Sequence, residues 1–192
     1  MSLTGLAFAI VIGVLWAMAM AQAKWLENSL YPYAVVLQCV PILALVPLIG
    51  ALFGYEFTSR VIVTVMIALF PMVSNTLFGL QSADRAQHEL FRLQRAGRLA
   101  RLVKLQVPAA LPSIFVGLRT SAGLSVIGAI VGDQFFQRGN PGLGVLIQVT
   151  ASRLMGPELY ATIIIASLYG VAVFLVFGLL GRLAVGRWHD FG

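Results

Sequence analysis

An all-α integral membrane protein of about five transmembrane helices is the fold predicted by three features of this sequence. First, 59% of the 192 residues are hydrophobic and only 10% are charged. A soluble domain carries roughly 25% charged residues, so these charges cannot cover a globule with polar surface. Second, the apolar residues gather into five stretches, each close to the ~20 residues that cross ~30 Å of hydrocarbon as a helix. Third, Lys and Arg concentrate in one polar segment between the third and fourth stretches. That asymmetry accompanies membrane insertion and assigns the segment to the cytoplasm.

The whole chain, 1–192, reads as a single transmembrane domain. The first stretch, about 3–23, ends at Lys24 and Trp25, which suit a membrane interface. Ala17-Met18-Ala19 or Ala19-Met20-Ala21 has the look of a signal-peptidase site, but no basic residue precedes the apolar run. The second stretch, about 31–53, is interrupted by Pro41 and Pro47. It holds the single cysteine, Cys39, which permits neither an intrachain disulfide nor a multi-cysteine metal site. The third, about 60–80, contains Pro71 and Asn75, and the fourth, about 113–132, follows Pro112. Gly139-Asn140-Pro141-Gly142 is a turn signal. Leu143 to Met155 is an apolar helix too brief to span, which suits a re-entrant or interfacial element. The fifth stretch runs over about 159–180. Backbone polar groups in lipid must be satisfied within the segment, and the periodicity is not strand-like, so each stretch is expected to be helical.

Segment 82–112 is different in kind. Arg85, Arg92, Arg95, Arg98, Arg101 and Lys104 oppose only Asp84 and Glu89. With this segment inside, the Lys24 loop and the tail bearing Arg182 and Arg187 also fall inside, leaving Arg60, Arg138 and Arg153 outside. Met1 is then outside, which points to a helix preceding it. Leu90, Leu93, Leu99, Leu102 and Leu105 recur at roughly helical spacing with arginines between them. Such an element suits either an anionic lipid surface or a soluble partner. Pro108 and Pro112 each withdraw a backbone donor and disfavour helix at the preceding residue, so a bend, or hinge, is expected there. Arg119 lies near enough the cytoplasmic edge to snorkel.

Chemistry within the chain is not indicated. No Gly-rich phosphate loop is present, so any ATP hydrolysis belongs to another chain. His88 and His189 lack metal-ligand spacing, and no nucleophile–base pairing or intramembrane carboxylate pair suggests a membrane hydrolase. No catalytic residue, metal site or cofactor is assigned. The net charge of +6 is read as topological bias, not as a nucleic-acid interface, since no zinc-finger spacing or aromatic RNA-binding motif accompanies it.

Several blocks in order carry a family resemblance. Glu89 stands nineteen residues before Pro108, and Leu105-Gln106-Val107-Pro108 closes the segment. Val40-Pro41 with Ala44-Leu45-Val46-Pro47-Leu48, Leu69-Phe70-Pro71 with Asn75-Thr76 and Gly79-Leu80, Leu111-Pro112 with Gly117-Leu118-Arg119, and Gly132-Asp133 with Gly142-Leu143-Gly144 flank it. From about Thr4 onward the chain resembles the inner-membrane permease subunits of binding-protein-dependent ABC importers, in the nitrate, sulfonate, taurine and thiamine-precursor branch. In that family's cytoplasmic signature Leu90 and Phe91 occupy two alanine positions, and Arg95 occupies a glycine position, where arginine resists the turn that glycine permits. Family members usually carry one more span before the first, so the chain is expected to be either truncated or a five-span variant.

The resemblance implies a type I importer fold in a bacterial inner membrane. It makes 82–112 the coupling segment, with Glu89, Arg92, Arg95, Ala96, Gly97, Arg98 and Pro108 meeting an ABC ATPase and Pro108 and Pro112 serving as hinge. Pro47, Pro71 and Asn75 become candidates for the translocation path, although kinking and interhelical hydrogen bonding explain them equally well. Asp133 is a candidate for an outer gate or a contact with an extracytoplasmic binding protein; an interfacial helix-end charge is the plainer alternative. The implied partners are two ATPase subunits, a second permease subunit in a homodimer, the binding protein and membrane lipid. A transmembrane component of an energy-coupling-factor vitamin transporter is the alternative within transport. A membrane-embedded enzyme or a structural membrane protein is the alternative outside it.

Overall fold

Four proline-bearing apolar segments decide how the helices run and where they break. The computed structural model describes residues 1–137 and 140–185. Arg138, Gly139, Arg187 and His189, discussed above, lie outside the described residues. Nine α-helices occur among the described residues, with no strand: α1 (Ser2–Met20), α2 (Lys24–Cys39), α3 (Ile42–Phe53), α4 (Phe57–Gln81), α5 (Arg85–Leu93), α6 (Arg98–Arg101), α7 (Val107–Phe135), α8 (Leu143–Ser152) and α9 (Gly156–Val185). A π-helical turn, Leu102–Gln106, joins α6 to α7.

Four helical segments are long and apolar enough to cross a membrane, or five if α2 and α3 together form one broken span. The 31–53 stretch is therefore not one crossing helix. The helix starts earlier, at Lys24, and the pair is bent by 98° at Val40–Pro41. The cause is local. Pro41 has no N–H to continue the ladder, and Val40 ahead of it takes an extended conformation, ψ 127°. Pro32, Pro47 and Pro71 lie inside helices that carry through them.

At Pro108 and Pro112, where a bend is expected, the helix is not interrupted. Helix runs without a break from Arg98 to Phe135, 38 residues, with Pro108 in the first turn of α7 and Pro112 inside it. The π turn ends just before Pro108. The break falls instead between α5 and α6, at residues 94–97.

α4 and α7 share the largest interface; α1 packs on α4, and α9 on α7. Lipid offers no hydrophobic drive for helix association, so close backbone approach through small residues must supply it. Gly128 of α7 lies on the α4 backbone, where a Cβ would come 2.8 Å from Cα of Thr64. Gly79 of α4 meets Ala110 of α7 in the same way, at 2.9 Å. Between them, Ser121 Oγ of α7 donates to the Ala68 carbonyl of α4 at 2.8 Å. At the inner end Ala17, Met20, Val73, Leu77 and Leu80 pack together with Ala110. At the outer end Val46 and Ile49 of α3 join Val63 and Phe136.

Candidate functional site

Helix α5 has no buried residue. Its amphipathic face is left open: Leu90, Leu93 and, past the turn, Leu99 are 53%, 82% and 73% exposed. Glu89, Arg92 and Arg98 are exposed beside them. Apolar side chains interleaved with charge and standing clear of the bundle form a surface able to receive a partner. Of the residues singled out in the sequence, Glu89, Arg92, Arg95, Ala96, Gly97 and Arg98 fall on this helix–turn–helix. Pro108 is exposed on the first turn of α7, fourteen positions beyond Gln94.

The turn itself is a helix C-cap. Arg95 has φ 53°, Ala96 N–H donates to the Phe91 carbonyl at 3.0 Å, and Arg95 N–H donates to the Arg92 carbonyl at 3.0 Å. This is the Schellman pattern, in which the left-handed position usually belongs to glycine. The glycine-position turn is thus retained with arginine in the strained conformation. The segment is held from beneath. Leu102 and Leu105 are buried, Gln106 Nε2 donates to the Leu80 carbonyl at 3.3 Å, and Gln81 Nε2 donates to Glu27 at 2.9 Å.

Pro47, Pro71 and Asn75 are not gathered at one place. Pro71 and Asn75 face Gly117 of α7, where a Cβ would lie 3.1 Å from the Pro71 carbonyl oxygen and 2.9 Å from Asn75 Cβ. Asn75 Nδ2 donates to the Pro71 carbonyl of its own helix at 2.8 Å. Pro47 is exposed on α3, beside Val46 and Ile49, which pack near Val63 at the outer end. Val63 is eight residues from Pro71 along α4, about 12 Å at 1.5 Å per residue.

Asp133 is 3% exposed and lies in a closed polar cluster, so in this conformation it presents no surface to a binding protein. Its Oδ1 accepts from Arg60 Nη1 at 2.7 Å, and the arginine's Nε donates to the Phe136 carbonyl at 2.7 Å. Arg60 is itself 1% exposed. The carboxylate also accepts from the backbone N–H groups of Gly142, at 3.2 Å, and Val145, at 2.9 Å. These are orphan donors at the start of α8, so Asp133 caps from another helix an end whose own N-cap residue, Gly142, has no side chain. A Cβ at Gly142 would come 2.7 Å from the Asp133 carboxylate, and one at Gly144 would overlap the Ile130 carbonyl. The Asp133 and Gly142-Leu143-Gly144 blocks are thus one structural unit. Sequence reasoning placed Arg60 outside and missed it as the partner; an arginine opening an apolar span opposite the acidic end of another was the available signal.

Residues 9–189 match the family described as binding-protein-dependent transport system inner membrane component. The chain belongs to this family. It is 39% identical over 170 residues to the formylaminopyrimidine transport permease protein ThiX of Halalkalibacterium halodurans, covering 88% of this chain and 67% of that protein. It is 34% identical to the riboflavin transport system permease protein RibX of Chloroflexus aurantiacus, covering 88% and 62%. To the putative aliphatic sulfonates transport permease protein SsuC of Escherichia coli it is 30% identical, covering 87% and 62%. The chain therefore spans about two thirds of the length of these relatives. It is an all-α, multi-pass component of the bacterial inner membrane, in a family of transport proteins and not of enzymes. Among the described residues no cluster of His, Cys, Asp or Glu is suited to hold a metal.

Proposed function

We propose that the chain is the permease subunit of an ABC importer, lining the path of a small solute and coupled to a separate ATPase through 82–112. The observation that carries the reading is the unpacked α5–α6 hairpin, with Leu90, Leu93 and Leu99 exposed among arginines, in a family named for binding-protein-dependent transport. A coupling element must make different contacts in two states. The hairpin is rooted through Leu102, Leu105 and Gln106 in the continuous helix that becomes α7. A push on the hairpin is carried through the capped turn at Gln94–Gly97 into α6 and on along the continuous helix of α7. Two ATPase subunits, a second copy of this chain and an extracytoplasmic binding protein complete the assembly. Pro71 and Asn75, at the α4–α7 interface, are the better-supported path residues, and Pro47 the weaker one. Asp133 acts at the outer end as half of a seal, closed by Arg60.

The relatives at 39% and 34% identity are named for formylaminopyrimidine and riboflavin. This favours a small nitrogen heterocycle as cargo, with selectivity residing largely in the binding protein. The reading is tested by co-purification. Glu89→Arg, or deletion of 93–100, is expected to abolish recovery of ATP-hydrolysing activity with the tagged permease while membrane insertion persists. Unchanged ATPase recovery would sink the proposal.

A further inference from the structure

Two arginines at the Arg182 end of the α7–α9 pair have no anionic partner among the described residues. Arg119 projects from α7 toward α9, its guanidinium carbon 4.0 Å from the centroid of the Phe174 ring. Its Nε is buried without a hydrogen-bond partner. Arg182 lies on α9 one turn past Gly178, and a 270 Å³ cavity opens between the two, floored by Leu175, Gly178 and Leu179. Gly178 makes the room: a Cβ there would come 3.2 Å from Arg119 Nε. The ion pairs among the described residues are Lys24–Glu27 and Arg60–Asp133, so no described carboxylate answers either arginine.

A separate apolar groove of 560 Å³ lies between α7 and α9, from Thr120 and Phe174, the chain neighbours of Arg119 and Leu175, past Gly123, Ile127 and Ala166 to Ile130. Thr120 to Ile130 is ten residues, about 15 Å of helix. α9 is the least buried of the crossing helices, 6% within its apolar window, so little of it is covered by the rest of the chain. An isolated cation at this depth is costly unless a counter-charge meets it, and stacking on Phe174 satisfies only one face of Arg119.

We infer that Arg119 and Arg182 bind the phosphate of an anionic phospholipid of the cytoplasmic leaflet, whose acyl chain lies in the α7–α9 groove. The two arginines supply the charge match, and the apolar groove that begins at Thr120 and Phe174, the chain neighbours of Arg119 and Leu175, favours a lipid over a soluble oxyanion. The site is distinct from the coupling hairpin and goes beyond the transport reading. Each arginine should contribute about a fivefold preference for the anionic lipid.

The permease–ATPase complex, reconstituted in phosphatidylcholine nanodiscs doped with phosphatidylglycerol, is examined by native mass spectrometry for retained lipid. The wild-type protein is expected to retain phosphatidylglycerol over phosphatidylcholine. Arg119→Gln and Arg182→Gln should each lose about fivefold of that preference. Gly178→Val, which fills the cavity and keeps both charges, should lose it too. Equal retention of the two lipids by wild type, or a preference untouched in both glutamine variants, overturns the assignment. So does protection of wild type but not Arg119→Gln by inorganic phosphate in nanodiscs free of phosphatidylglycerol, which would assign the arginines to a soluble anion. An Ile127→Cys cross-link between two copies, showing the groove covered by a second subunit, overturns it as well.

Discussion

At the scale of single residues, Arg60 and Asp133 form the fully buried ion pair among the described residues. Both partners are buried, and each satisfies backbone groups besides the other: Phe136 through Arg60, and Gly142 and Val145 through Asp133. Removing one partner leaves an uncompensated buried charge, which costs about 3–5 kcal/mol. Asp133→Asn and Arg60→Met should therefore each lower thermal stability in nanodiscs by about that amount. Asp133→Asn should in addition release α8, whose first turn would lose a charged cap, and faster hydrogen exchange at Val145 would report this. The paired change Arg60→Met with Asp133→Leu should recover part of the loss. If the losses of Arg60→Met and of Asp133→Leu, each measured alone, simply add in the double, the two residues are not coupled and the seal does not exist. Of this site, Asp133 was legible as an acid at a helix end, and Arg60 as a charge on the outer side. Their meeting was not, because it depends on α4 beginning where α7 ends, a long-range fact carried by no local pattern.

At the scale of elements, the turn after α5 shows a rule kept in form and broken in residue type. Glycine is usual at the left-handed C′ position because an L side chain there costs roughly 1–2 kcal/mol, yet Arg95 takes it at φ 53°. Leu154 does the same after α8 at φ 55°, with Met155 N–H bonded to the Thr150 carbonyl at 3.0 Å. Arg95→Gly removes the strain while keeping both capping hydrogen bonds. It should slow hydrogen exchange in α5 by about fivefold, the equivalent of about 1 kcal/mol of local stability. Faster exchange would mean that the arginine side chain holds the turn and that strain does not decide it. The sequence spacing made this segment visible, but proline rules alone misplaced its break. Pro108 lies inside a helix that runs on from Arg98, just after the π turn, and the helix is not interrupted there. At Val40–Pro41 the same rules succeed, and the ladder breaks.

At the scale of the whole molecule, composition made the all-α membrane class readable, since it follows from transfer of side chains into lipid, and arginine placement predicts an orientation. The packing order was not readable, because small residues such as Gly79 and Gly128 announce close contact without naming the partner. The orientation has a direct consequence on either side of α7. Leu93, 82% exposed on the hairpin, and Leu154, 92% exposed after α8, are separated by a single crossing helix. In a Cys39→Ala background, Leu93→Cys should react with a membrane-impermeant maleimide only in inside-out vesicles. Leu154→Cys should react only in right-side-out spheroplasts. Both substitutions fall on exposed positions, so folding should be disturbed by no more than about 0.5 kcal/mol. Reaction of both from the same side would mean that α7 does not cross. The Arg60–Asp133 seal and the α5–α6 hairpin would then share one compartment, and a push on the hairpin could not be carried across the bilayer by a rigid α7.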